Sequence, residues 1–176
     1  RVFACAPVSD GAAAVVVTSA PSAVRVVGVG HGTDRLALAD RREEGLLATR
    51  LAARRAYAQA GLSPGDVDFA ELHDAFSILE IVDSEDVGFF PRGEGWRALE
   101  AGTTAIGGDL PVNVSGGLKA RGHPVGATGL AQVAEVVWQL RGQAEGRQLD
   151  GVKVGLTQNI GGFGCNNLVT ILRRVS

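Results

Sequence analysis

An α/β fold is what this sequence predicts, and three observations carry the prediction. Apolar, β-branched runs of strand length recur at Val24–Gly30, Val67–Leu72, Leu110–Val114, Val152–Thr157 and Leu168–Leu172. Helical stripes separate them: Leu46, Leu47, Leu51 and Ala58 in one, Ile78, Leu79, Ile81 and Val82 in a second, and Leu130, Val133, Val137 and Leu140 in a third. Two junctions from a strand-like run toward a helix each carry a histidine, in His73-Asp74 and in Gly122-His123-Pro124. In open α/β sheets the carboxyl ends of strands face the ligand crevice, so both histidines are candidates for one cleft.

Length and composition narrow the function classes. At 176 residues the chain is one domain of ordinary size, able to bury roughly two-thirds of its unfolded surface. Charged residues make up 20% and the formal net charge is -2, which gives no electrostatic case for nucleic acid or a membrane as the main partner. Cys5 and Cys165 lie far apart without metal-ligand spacing, against a disulfide scaffold or a metal site. With no signal peptide and no apolar run of about 18 residues, a soluble cytoplasmic protein is expected. The 25 glycines cluster in turns, and methionine is absent even at residue 1. A chain that starts Arg1-Val2-Phe3 reads as a piece of something longer.

Taken in order, Asp10-Gly11 leads into a small-residue and valine run, Ala12–Ala20, that reads as a buried strand ended by Pro21. Cys5, ahead of it, reads as a small buried hydrophobe. The run Val24–Gly30 ends among Gly28, Gly30 and Gly32, which places His31 in a surface loop. Residues 33–44 are charged and read as a surface excursion. Gly61 ends the first helix and Ser63-Pro64-Gly65-Asp66 turns the chain. Residues 88–108 hold a short helix to Glu100, Trp138 reads as packing, and Gln158–Gly164 reads as the glycine-rich turn of a closing hairpin.

The stretch Asn113–Gly129 is the sharpest signal. Pro124 fixes its own φ and pushes His123 toward an extended conformation, so the imidazole is aimed. Glycines 116, 117, 122, 126 and 129 surround it and allow close backbone approach or positive φ. His73 admits two readings: a strand-end histidine bonded to Asp74 or to a backbone carbonyl, or a functional side chain. Asp74 likewise either orients a ring nitrogen or caps a helix.

As a string, Ser115-Gly116-Gly117-Leu118-Lys119-Ala120-Arg121-Gly122-His123-Pro124-Val125-Gly126-Ala127-Thr128-Gly129 closely resembles the Gly-His-Pro segment of the thiolase superfamily, especially sterol-carrier-protein-type thiolases. His73-Asp74-Ala75-Phe76 resembles that family's Asn-Glu-Ala-Phe and His-Asp-Cys-Phe segments, and Asn159-Ile160-Gly161-Gly162 its Cys-x-Gly-Gly. The resemblance runs from about Ser9 to Leu172. It implies the C-terminal half of a layered αβαβα fold, with a mixed five-stranded sheet and helices on both faces. Residues 1–23 would then be the tail end of the N-terminal half and 24–176 the C-terminal domain.

What the resemblance implies for chemistry is acyl transfer on coenzyme A thioesters, either thiolysis or Claisen condensation of 3-ketoacyl-CoA, with lipid metabolism as the setting. The nucleophilic cysteine belongs to the N-terminal half, so this chain alone is expected to be inactive. His123 is the base, and His73 with His123 forms one oxyanion hole. Gly161 contributes an N–H to a second, and Asn159 stands where the family carries an acid/base cysteine. Ala75, Phe76 and Gly162 fall at substrate-binding positions. No metal and no permanently bound cofactor is implied, only the thioester as substrate, and the expected partner is an N-terminal half within a homo- or hetero-oligomer. Because Ala75 and Asn159 replace both places for a second cysteine, a decarboxylating ketoacyl-synthase-like condensation is the alternative, and a non-catalytic thiolase-fold subunit is another.

Overall fold

The computed structural model describes residues 2–41 and 44–175; of the charged excursion, Arg42 and Glu43 lie outside the described residues, as does Arg1. The sheet has four strands: β1 (Val24–Thr33), β2 (Phe69–Glu71), β3 (Val154–Gly161) and β4 (Asn166–Arg174). Their order is β1-β4-β3-β2, with β4 antiparallel to both neighbours and β2 parallel to β3, so the sheet is mixed as expected.

The fifth strand is corrected to a single bridge. Only Val112 pairs, in parallel with Ala70. Pro111 offers no N–H to a ladder, and Asn113 turns into the left-handed region at φ 56°. The side chain of Asn113 takes over: its Oδ1 accepts the Leu72 N–H at 2.7 Å and its Nδ2 donates to Glu80 at 2.9 Å. The expected buried strand over Ala12–Ala20 is corrected as well. That segment forms no strand, and Val16 and Val17 are 94% and 84% exposed. Among the described residues nothing pairs with it, and an unpaired strand is not stable in water.

Helices cover both faces. The first, α1 (Leu47–Ala60), ends at Gly61 in the left-handed conformation. It buries Ala48, Ala52 and Ala56, while Leu47 and Leu51 are only half-buried. β1 explains the choice, because it continues past Gly30 to Thr33 and turns Gly28, Gly30 and Gly32 toward α1. A methyl on Gly30 would lie 1.8 Å from the Ala52 carbonyl oxygen, and one on Gly32 2.0 Å from that of Ala48. The helix backbone rests directly on the strand. His31 is therefore a strand residue rather than a loop one, exposed and bonded through Nε2 to Asn166.

On the opposite face lies α5 (Thr128–Arg141), packing Val136 and Leu140 against Phe69, Val114 and Leu172. Its buried stripe is largely polar, with Thr128, Gln132, Glu135 and Gln139. Leu130 and Trp138, expected to pack inward, are 43% and 45% exposed. These polar groups tolerate burial because each is satisfied: Gln139 bonds the Arg147 carbonyl and the Leu149 N–H, and Glu135 receives Arg147. Between α1 and α5 in the chain come α2 (Ser77–Asp86), which packs against α1, then α3 (Gly95–Glu100), which packs against α2, and α4 (Gly117–Arg121).

Candidate active site

β2 and β3 run parallel in a register that pairs Phe69 with Gly155 and Glu71 with Thr157. Carried two residues further, that register sets His73 beside Asn159. Side chains alternate along a strand, so Glu71, His73, Asn159 and Gly161 fall on the face covered by α5. Asn159 is accordingly in the strand; the predicted turn is shorter, because β3 pairs with β4 as far as Gly161 opposite Asn166.

His123 reaches the same place from another direction. Gly122, at φ 88°, caps α4, and a Cβ there would sit 2.5 Å from Ser9 Oγ. The N-terminal segment holds the loop: the His123 N–H donates to the Pro7 carbonyl at 2.8 Å, Ala6 donates to Ala75 at 2.8 Å, and Lys119 Nζ donates to the Cys5 carbonyl at 2.8 Å. One short strap thus ties both histidine loops, a role invisible in the sequence.

The rings of His73 and His123 meet edge to face with centroids 5.0 Å apart. Their proton positions follow from their partners. Thr128 Oγ1 lies 3.1 Å from the Pro124 carbonyl and 2.7 Å from His123 Nδ1; where its one hydrogen goes to the carbonyl, it accepts from Nδ1, and Nδ1 carries the proton. Nε2 of His123 is then the basic lone pair. At His73 the order is reversed. Gln132 Nε2 donates to the carbonyls of Glu71 and Gln158 at 3.2 and 3.0 Å, which turns its Oε1 toward Asn159. Asn159 Nδ2 donates to that Oε1 at 2.9 Å and to His73 Nδ1 at 3.0 Å. Nδ1 of His73 is therefore the acceptor and Nε2 carries the hydrogen.

Both rings are held neutral. Burial, then the charges of His123 and Arg121, push His73 down to about 4. Burial and Arg121 hold His123 below its ordinary value, against the pull of Asp74. Asp74 touches neither ring: its carboxylate accepts the N–H of Leu118 at 2.7 Å and of Lys119 at 3.4 Å. It therefore takes neither expected role: instead of the helix that follows it, it caps the first turn of α4 from a distance. Beneath the loop Glu71, fully buried, accepts the N–H and Oγ–H of Ser115 at 2.9 and 2.6 Å, and burial raises it to about 7.

Of the remaining candidates, Ala75 follows the His73 loop and Phe76, just before α2, is 52% exposed. Gly161 ends β3, and Gly162, at φ 58°, starts the hairpin turn in which Cys165 also lies. Sequence reasoning missed Gln132, Thr128, Gln158 and Asn113. A glutamine on the sheet-facing side of an apolar helix was the available signal for the first. Among the described residues no group of three or more His, Cys, Asp or Glu is placed to hold a metal, and no helix is long and apolar enough to cross a membrane.

A strand-end histidine meeting the histidine of a Gly-His-Pro loop, over a mixed sheet covered by helices, is the arrangement of a thiolase-type C-terminal domain. Residues 30–174 match the family described as thiolase C-terminal domain-like, and the chain belongs to it. It is 52% identical to an acetyl-CoA acetyltransferase of Methanothermobacter thermautotrophicus, across 99% of this chain and 48% of that protein. It is 42% identical to sterol carrier protein 2 of Rattus norvegicus, across 98% of this chain and 34% of the relative. Among solved structures, the Ltp2-ChsH2(DUF35) aldolase superposes with a TM-score of 0.74 at 30% identity, covering 86% of this chain and 39% of that one. The chain thus spans about half or less of the length of these relatives.

Proposed function

We propose that this chain supplies the base and the oxyanion donors for acyl transfer on coenzyme A thioesters, acting on a cysteine thiol contributed by an N-terminal half. The carrying observation is the meeting of two imidazoles at 5.0 Å, each held at Nδ1 from within the protein, by Thr128 at His123 and by Asn159 at His73; to this pair we assign an acceptor at His123 Nε2 and a donor at His73 Nε2. A thiol needs a base to become a thiolate near neutral pH, and His123 Nε2 offers one. Negative charge developing on a thioester oxygen needs preorganised donors; His73 Nε2–H offers one, and His123 becomes another once it has taken the thiol proton. Gly161 lies on the same face at the position expected for the second oxyanion hole; because it closes the ladder opposite Asn166, its N–H would have to leave that pairing to serve there, with Ala75, Phe76 and Gly162 along the pantetheine arm.

A second reading rests on Asn159. Both hydrogens of its amide are committed, to Gln132 and to His73, and an amide is not a base. The α-proton transfer that thiolysis asks of a second cysteine has no group at that position. Decarboxylative condensation, in which loss of carbon dioxide forms the carbanion, needs none. Supplying the full-length protein with acetoacetyl-CoA plus coenzyme A, and separately with malonyl-CoA, distinguishes the two. Turnover of acetoacetyl-CoA alone supports thiolysis, turnover of malonyl-CoA supports the second reading, and turnover of neither, with His123→Ala unchanged in every assay, rejects both in favour of a non-catalytic subunit.

A further inference from the structure

Gln132 sits on α5 one layer behind the histidines, fully buried, in a helix whose neighbouring positions are Ala131 and Val133. Burying an amide is costly unless all its groups are bonded. Here the bonds have a direction. Both acceptors of its NH₂ group, the carbonyls of Glu71 and Gln158, belong to the β2 and β3 backbones and cannot reverse. Gln132 therefore has one orientation, with Oε1 toward Asn159.

We propose that Gln132 is a positioning residue that sets the proton on His73 through Asn159. Its Oε1 accepts one hydrogen of the Asn159 NH₂ group, which fixes which end of that amide faces His73. The other hydrogen goes to His73 Nδ1, and Nε2 keeps the ring's proton. Without Gln132 the Asn159 amide is free to rotate by half a turn and present Oδ1 instead. His73 would then carry its hydrogen on Nδ1, and Nε2 would become a lone pair aimed at the substrate oxygen. Two sheet carbonyls thus decide, two side chains away, whether His73 is a donor. The proton placement follows from the hydrogen bonds alone; its consequence for turnover rests on the acyl-thioester reading above.

Nitrogen-15 NMR of the histidine rings in the full-length protein tests the placement directly, with His73 assigned by His73→Gln. The expected result is an unprotonated Nδ1 and a protonated Nε2 at neutral pH in the wild type, and a mixed or inverted tautomer in Gln132→Met. Asn159→Asp, whose carboxylate only accepts, should place the proton on Nδ1 outright. Turnover by Gln132→Met should fall about ten- to hundred-fold in kcat with little change in KM, the usual cost of losing an outer partner of a reacting group. A wild-type His73 protonated at Nδ1 overturns the proposal even if no variant folds, and so does a folded Gln132→Met with unchanged tautomer. A shifted tautomer with unchanged turnover upholds the relay and instead removes His73 from the catalytic reading.

Discussion

His73 and His123 stand edge to face at 5.0 Å between ring centroids although one leaves the end of β2 and the other a glycine-rich loop between α4 and α5. Two imidazoles this close cannot both be protonated cheaply, and burial with Arg121 keeps both neutral.

If His123 Nε2 is the base, His123→Ala in the full-length protein should lower kcat by about 10²–10⁴-fold, with folding unchanged. His73→Ala should also lower it, by less. Because the two act on one charge, the double variant should cost less than the product of the single effects. Steady-state kinetics on the preferred thioester measures all three.

The acid limb of the pH–rate profile should report His123. Its neutral form is the active one, and burial with Arg121 holds its pKa below the ordinary 6.5. Activity should therefore persist below pH 6.5 and fall only at more acid values. Arg121→Gln removes one of the two causes and should move the limb upward; a limb that stays put would detach Arg121 from the site's electrostatics.

Stability should respond to Glu71. Burial raises its pKa from 4.5 to about 7, so the folded state holds this proton harder than the unfolded one. Its contribution is full below about pH 4.5 and is lost as pH rises through about 7, a swing of at most about 3 kcal/mol. His73, depressed from 6.5 to about 4, works in the other direction, adding stability as pH rises across that window. Because the two largely offset each other in the wild type, the difference isolates Glu71: the melting temperature of Glu71→Gln relative to the wild type should rise as pH goes from 5 to 8.

The contact of β1 with α1 should be intolerant of a single methyl. At Gly30 a Cβ would meet the Ala52 carbonyl oxygen at 1.8 Å, with backbone on both sides. Gly30→Ala should cost about 3 kcal/mol or more in urea unfolding. Gly146→Ala, where a Cβ meets nothing within 4 Å, is the neutral control.

The residues of the candidate site were legible where chain geometry dictates their placement. Pro124 aims His123, the strand-end position presents His73, and the glycine pattern around them marked both loops. What the sequence hid was set by tertiary pairing. β1 reads as ending at its glycines because no local rule says that a helix will rest on them. Leu110–Val114 has the apolar pattern of a strand, but Pro111 and the left-handed Asn113 leave it one bridge. The α5 pattern pointed Leu130 and Trp138 inward, whereas the helix buries Gln132 and Gln139, whose partners lie on elements distant in the chain. For the same reason Asp74 was left between two roles, since the helix it caps begins more than forty residues later.

The most direct test is a crystal structure of the full-length protein with an acyl-CoA bound. The thioester oxygen should lie within about 2.7–3.1 Å of His73 Nε2, with the reacting sulfur beside His123 Nε2 and the pantetheine arm passing Phe76. A thioester bound with its carbonyl remote from both imidazoles would contradict this placement.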